Sequence, residues 1–159
     1  MSRAVLSIGS NVGARLGHLQ STVDGFRAEL VAVSPVYQTP PWGGIEQDDF
    51  LNAVLIAKAD LDPFDWLARA QELERAAARR RDVRWGPRTL DVDIVAIDDL
   101  SSADPELTLP HPRAHERAFV LLPWADADPD AVLPGYGPVR DLLRGLDTTG
   151  ITRTEMELT

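Results

Sequence analysis

The chain reads as an α+β domain of the ferredoxin-like kind, a βαββαβ core with an antiparallel sheet covered by helices and a C-terminal extension. Three observations predict it. Apolar runs of strand character and stretches of helical period follow one another as strand, helix, strand, strand, helix, strand. Pro and Gly mark the loops between them, with no internal repeat. The 159 residues, 44% of them hydrophobic, can bury one core of ordinary size but not two, so residues 1–159 are expected to form a single domain.

Residues 4–8 (AVLSI) form an apolar run cut off by Gly9, Ser10 and Asn11, a buried first strand ending in a turn. Leu16, Leu19, Val23, Phe26 and Leu30 then recur at spacings of three and four, the stripe of an amphipathic helix. Residues 31–38 look extended, with Pro35 favouring an edge or a bulge. Residues 39–49 (TPPWGGIEQDD) have no usable period and read as a long functional loop. Strand character returns over Phe50 to Ala59. Asp62 as N-cap and Pro63 at the first helical position open a helix whose buried stripe is Trp66, Ala70, Leu73 and Ala77. Gln71 and Glu74 share a neighbouring stripe. An Arg-rich loop follows, and Thr89 to Ile97 reads as a central strand. Pro110 and Pro112 bracket His111 before a short helix over residues 113–121, which Pro123 is expected to stop. Val139, Leu142, Leu143 and Leu146 predict one or two further helical turns, and residues 151–158 a final edge strand.

Charge narrows the function classes. With 16 Lys and Arg against 25 Asp and Glu, the net charge of -9 argues against nucleic acid or an anionic membrane as partner. The distribution is uneven: residues 75–88 hold six Arg against the single Asp82. The absence of cysteine excludes a disulfide framework, a thiolate zinc site and a cysteine nucleophile. No basic leader with a long apolar stretch and no run of membrane-spanning length occurs, so a cytoplasmic protein is expected. The three histidines lack metal-ligand spacing, which leaves carboxylate oxygens, and magnesium as the first choice of metal.

The most informative segment is RWGPRTLDVDI, residues 84–94. In a strand, residues two apart face the same side at roughly 6.5–7 Å, so Asp91 and Asp93 point together while Leu90, Val92 and Ile94 point into the opposite layer. Val95 and Ile97 lie farther along the carboxylate face, so the pair borders sheltered surface where its repulsion calls for a cation. Two magnesium ions roughly 3.5–4 Å apart would relieve that repulsion and assist phosphoryl transfer; two solvated aspartates are the bland alternative. Arg79, Arg80, Arg81, Arg84 and Arg88 directly precede the pair, as phosphate forks or as a solvated helix end. Gly9-Ser10-Asn11 lacks the rest of a phosphate loop and reads as structural. His111 is either a phosphate contact or a cap. Phe50 and Phe119 are either core or a ligand platform, and Asn52 needs amide partners from a heterocycle or from backbone.

Taken together, GSN near residue 10, TPPWG at 39–43, FLNA at 50–53, RWGPRTLDVDI, LPHPR at 109–113 and ERAFVLLP at 116–123 resemble the 6-hydroxymethyl-7,8-dihydropterin pyrophosphokinase family, in that family's order and spacing. The resemblance implies transfer of a diphosphate from ATP to the pterin hydroxymethyl group, releasing AMP, in folate biosynthesis. It implies Asp91 and Asp93 as carboxylates for two Mg²⁺ ions and, with Arg79 and Arg88, as catalytic residues. Gln71, Glu74, Arg81, Trp85, Arg88, Ile94, Thr108, His111 and Arg117 would surround ATP. Thr39, Pro40, Trp42, Phe50, Asn52 and Phe119 would bind the pterin. Pro112 and Glu106 depart from residues that some members use near the nucleotide base. A monomer without nucleic-acid or membrane partners is expected. The alternatives are a metal-dependent nucleotidyltransferase, against which stands the long stretch between Gly-Ser and the carboxylates, and a non-catalytic ferredoxin-like module binding a ligand or RNA through the Arg-rich loop.

Overall fold

A computed structural model describes residues 1–11, 13–40, 49–78 and 90–159. The predicted order holds: β1 (Ser2–Ser10), α1 (Arg15–Gly25), β2 (Leu30–Val33), β3 (Tyr37–Thr39), β4 (Phe50–Ala59), α2 (Pro63–Ala78) and β5 (Asp91–Ile97). The strands pair antiparallel as β3-β4-β1-β5, with β2 beside the far half of β4, which is the ferredoxin-like arrangement.

The edge beside β4 is split, as Pro35 foreshadowed. Because proline has no N–H for the ladder, Ser34 takes over: its backbone N–H donates to the Val54 carbonyl, and its Oγ accepts the Val54 N–H at 2.9 Å. The predicted start of α2 is equally clear. Asp62 Oδ1 accepts the Asp65 N–H at 2.9 Å while Asp65 Oδ2 accepts the Asp62 N–H at 3.4 Å, a reciprocal cap around Pro63. The first helix is shorter than its apolar stripe, since α1 ends at Gly25 and Leu30 already opens β2.

Two apolar layers enclose the sheet. On one face α1 and α2 pack Leu19, Val23, Phe26, Trp66 and Ala70 against Leu6, Ile8, Leu55 and Ile94. Trp66 is fully buried, so its indole N–H needs a partner and donates to Ser2 Oγ at 2.8 Å. Arg69 joins the two helices, lying 4.7 Å over the Phe26 ring while donating to Glu29 and to the Gly25 carbonyl. The other face is covered by α3 (Ala118–Ala127) and α4 (Val139–Leu143), through Val120, Leu121, Trp124 and Val139 against Val5, Val54 and Ile56. The C-terminal extension is therefore a layer of the core.

Four expectations need correction. Pro123 lies inside α3 and does not stop it. Its missing N–H removes only the one bond that would reach the Phe119 carbonyl, and its ring is buried in an apolar layer. β5 is an end strand among the described residues, paired with β1 alone; its apolar run reflects burial in an apolar layer on each face. Ile97 leaves the carboxylate face, because a register shift opposite Val5 and Leu6 inserts an extra residue and reverses the alternation, so Val95 and Ala96 share one layer and Ile97 joins the other. Two hairpins were not anticipated, β6 (Ser102–Asp104) with β7 (Leu107–Leu109) and β8 (Val132–Leu133) with β9 (Gly137–Pro138). The expected final edge strand is short: β10 (Thr152–Arg153) pairs with β3.

Tyr37, on β3, donates its hydroxyl to Asp126 on α3 and ties the sheet edge to the outer layer. Burial first, then the bond to the Asp126 carboxylate, pushes the phenol up to about 12. A pKa raised on folding stabilises the protein below the unfolded value of about 10 and stops doing so as pH climbs through the folded value. With one lysine and two tyrosines in the chain, few other groups titrate in that window. Urea denaturation should therefore find stability falling between about pH 10 and 12, and Tyr37→Phe should remove most of that slope.

Candidate active site

The register of β1 assembles the site. Gly9 lies opposite Asn52 of β4 on one side and Asp91 of β5 on the other, and Ser7 lies opposite Val54 and Asp93. Since alternate strand residues share a face, Ser7, Gly9, Asn52, Asp91 and Asp93 all emerge toward the layer of α3. That layer stops short of them and leaves a cavity of about 850 Å³. Thr39, Pro40, Phe50 and Asn52 line it from β3 and β4, and Arg117 and Phe119 from the start of α3.

At one side the cavity is built for a flat polar ligand. Asn52 is buried in an apolar strand, and its amide nitrogen donates to Thr39 Oγ1 at 2.9 Å, a side-chain partner instead of backbone. Its Oδ1 lies over Gly9, where a Cβ would come within 2.9 Å of it. Gly9 is thus more than part of a turn: the missing side chain makes room for the amide. Phe50 and Phe119 are half-buried and line the same space, and the Arg117 guanidinium lies 5.6 Å from the Phe119 ring centre.

At the other side the cavity is ionic. Asp91 and Asp93 are half-buried on its wall, and the exposed Glu116 and Asp147 also line the cavity. These four carboxylates outnumber the two guanidiniums, Arg113 and Arg117, among the described lining residues. Arg113 and Glu116 pair at 2.9 Å. No group of three or more metal-ligating side chains occurs among the described residues. The Asp91–Asp93 oxygens therefore fit a hard cation that completes its shell with water and phosphate oxygens.

The outer edge of β5 is held in place by side chain and backbone. Glu74, near the end of α2, accepts the Val92 N–H at 3.0 Å, and the His111 N–H donates to the Val95 carbonyl at 2.8 Å. His111 Nδ1 accepts the Arg113 N–H at 3.2 Å, so the neutral ring carries its proton on Nε2. Burial, foremost, depresses the His111 pKa; the Asp93 carboxylate opposes this, and Arg117 and Arg113 reinforce it.

Eight residues expected at the site line this cavity: Thr39, Pro40, Phe50, Asn52, Asp91, Asp93, Arg117 and Phe119. Glu74 and His111 bond to the edge of β5 and do not line the cavity. Gln71 is exposed on α2, and Thr108 donates to the Asp104 carbonyl within the β6–β7 hairpin; neither lines the cavity. The Ile94 side chain lies in the opposite core layer, as strand alternation predicts, and does not line the cavity. Trp42, Arg79, Arg81, Trp85 and Arg88 lie outside the described residues. Sequence reasoning missed Ser7, Gly9, Arg113, Glu116, Asp147, Thr149 and Ile151. Strand alternation backwards from Gly9 would have found Ser7, but the C-terminal three carry no local signal.

Residues 5–129 match the model of the family described as 7,8-dihydro-6-hydroxymethylpterin-pyrophosphokinase (HPPK). The chain belongs to the HPPK family. A 2-amino-4-hydroxy-6-hydroxymethyldihydropteridine pyrophosphokinase of Mycobacterium leprae is 57% identical over 148 residues, covering 86% of this chain and 78% of that protein. One of Methylorubrum extorquens is 42% identical over 159 residues, covering 98% and 100%. Among solved structures, a Plasmodium falciparum HPPK-DHPS A437G with SDX-DHP superposes with a TM-score of 0.71 at 14% identity. The match covers 90% of this chain and 45% of that one, and it carries the HPPK fold alone.

Loss of the Glu74 carboxylate should loosen β5 next to Asp91 and Asp93. Glu74→Ala is expected to cost about 1–3 kcal/mol in thermal or urea unfolding, and Glu74→Gln, which keeps an acceptor oxygen, to recover most of it.

Proposed function

We propose that this protein transfers the diphosphate of ATP to 6-hydroxymethyl-7,8-dihydropterin, giving AMP and the pterin diphosphate, as the pyrophosphokinase step of folate biosynthesis, through the cavity on the β1–β4–β5 face. One observation carries the assignment of residues: a buried amide–hydroxyl pair, Asn52 with Thr39, and a carboxylate pair, Asp91 with Asp93, open into the same cavity. The first suits the hydrogen-bonding edge of a neutral heterocycle; the second suits a polyphosphate bound with metal.

On this reading Phe50 and Phe119 stack on the two faces of the pterin, Asn52 and Thr39 read its polar edge, and Pro40 and Trp42 close the pocket. Asp91 and Asp93 would hold two Mg²⁺ ions with ATP, and these ions would neutralise phosphate charge. Arg117 contacts the triphosphate, and neutral His111 donates to it from Nε2. Arg79, Arg81 and Arg88 supply further guanidiniums, and Gln71, Glu74, Trp85, Ile94 and Thr108 surround the nucleotide; a contact from Ile94 would come from its backbone. The hydroxymethyl oxygen bonds to the β-phosphorus as the bridge to the α-phosphate breaks; AMP departs and the hydroxyl proton is lost. Holding these two atoms in line inside a walled cavity is the main contribution of the chain.

Described residues include no helix long and apolar enough to cross a membrane. On this reading the protein is a cytoplasmic monomer acting on small molecules, and its net charge of -9 disfavours nucleic acid or an anionic membrane as a partner.

Labelled ATP decides between chemistries: AMP plus pterin diphosphate supports this reading, and pyrophosphate release would point to nucleotidyl transfer. Asp93→Ala is expected to lower kcat by about 100-fold or more with an unchanged melting temperature. Phe119→Ala should weaken pterin binding far more than ATP binding in calorimetric titrations with a non-hydrolysable ATP analogue. Equal losses would assign Phe119 to the core.

A further inference from the structure

The family match ends at residue 129, yet the cavity is also lined by Asp147, Thr149 and Ile151. Antiparallel pairing places them there. Thr152 lies opposite Gln38 and Arg153 opposite Tyr37, and the same register carried back one residue sets Ile151 opposite Thr39. One step farther, Gly150 faces Pro40, its φ of +85° turning the chain and its Cα direction ending 3.5 Å from Pro40 Cγ. Directly opposed strand residues share a face at roughly 4.5–5.5 Å between Cβ atoms, so Ile151 flanks the hydroxyl that orients the Asn52 amide.

The segment is anchored on both sides of this point. Upstream, the Ile151 N–H donates to the Thr148 carbonyl, and the Thr149 N–H donates to Asp147 Oδ1 at 2.9 Å. Downstream, Thr154 donates from its N–H and its hydroxyl to the Val36 carbonyl, Leu158 is buried in the core, and the Thr159 N–H donates to Gln20. A half-buried isoleucine held so firmly beside a polar pair is a wall.

We infer that Ile151 is a specificity-determining residue of the pterin subsite, closing its outer flank beside Thr39 with apolar surface and so selecting a flat ring of limited width. This rests on the pterin reading of the cavity. Phosphate binding, on the β5 side, does not depend on it.

The test titrates 6-hydroxymethylpterin and a non-hydrolysable ATP analogue separately into the full chain with Mg²⁺. Ile151→Ala should weaken pterin binding about tenfold, as expected for apolar carbons no longer covered by the ligand, and leave the affinity for the ATP analogue unchanged. Ile151→Val should give a smaller loss in the same direction. Gly150→Val, which places a β-branched residue at a positive φ, should displace the wall and reproduce the pterin-selective loss. Unchanged pterin affinity in Ile151→Ala, or equal losses for both ligands, would overturn the inference while leaving the pterin reading in place. Failure of the unaltered chain to bind pterin at all would overturn both.

Discussion

The whole site hangs on one constraint, the register that puts Gly9 of β1 between Asn52 and Asp91. A strand in the middle of a sheet has both neighbours set by the same row of hydrogen bonds, so a slip of one residue would turn every side chain to the other face. The carboxylates would then enter the α1–α2 core, and Leu51 and Ala53 would replace Asn52 in the cavity. Burial of Leu6, Ile8, Leu51, Leu55 and Val92 on that core face makes such a slip costly. The apolar layer that touches no ligand is therefore what aims the polar one.

Much of this was legible in the residues. Asp62-Pro63 carries its own start signal, and the bounds of β4 follow from a run that is apolar but for Asn52 and Lys58. Asp91 and Asp93 had to share a face because alternation is a property of the strand itself. What escaped was set by tertiary context. The bulge that turns Ile97 away is invisible without the partner strand, and the position of β5 at the end of the sheet, among the described residues, cannot be told from a central strand when apolar layers bury both its faces. Pro123 survives inside α3 because an apolar layer closes around its ring. Ile94, by contrast, was legible: the alternation that exposes its neighbours sends its side chain into the opposite layer, next to the site but excluded from it.

Charge also reads differently once it is placed in space. Among the described lining residues carboxylates outnumber guanidiniums, and the Arg-rich stretch at 79–88 lies outside the described residues. Arg113, to which the sequence assigns no role of its own, is held by an exposed Glu116, a pairing that solvent screens strongly. A polyanion entering the cavity would compete for that guanidinium at little cost.

The treatment of the β5 edge has a consequence for how the molecule behaves among its own copies. An open strand edge is a template on which another chain can lay a strand, and long apolar edges seed aggregation. Here the strand that bears both aspartates has its outward Val92 N–H taken by Glu74 and its outward Val95 carbonyl taken by His111. The two fixtures that steady the carboxylates also act as gatekeepers against self-templating, letting a reactive strand sit at the rim of its sheet in a crowded solution of identical molecules.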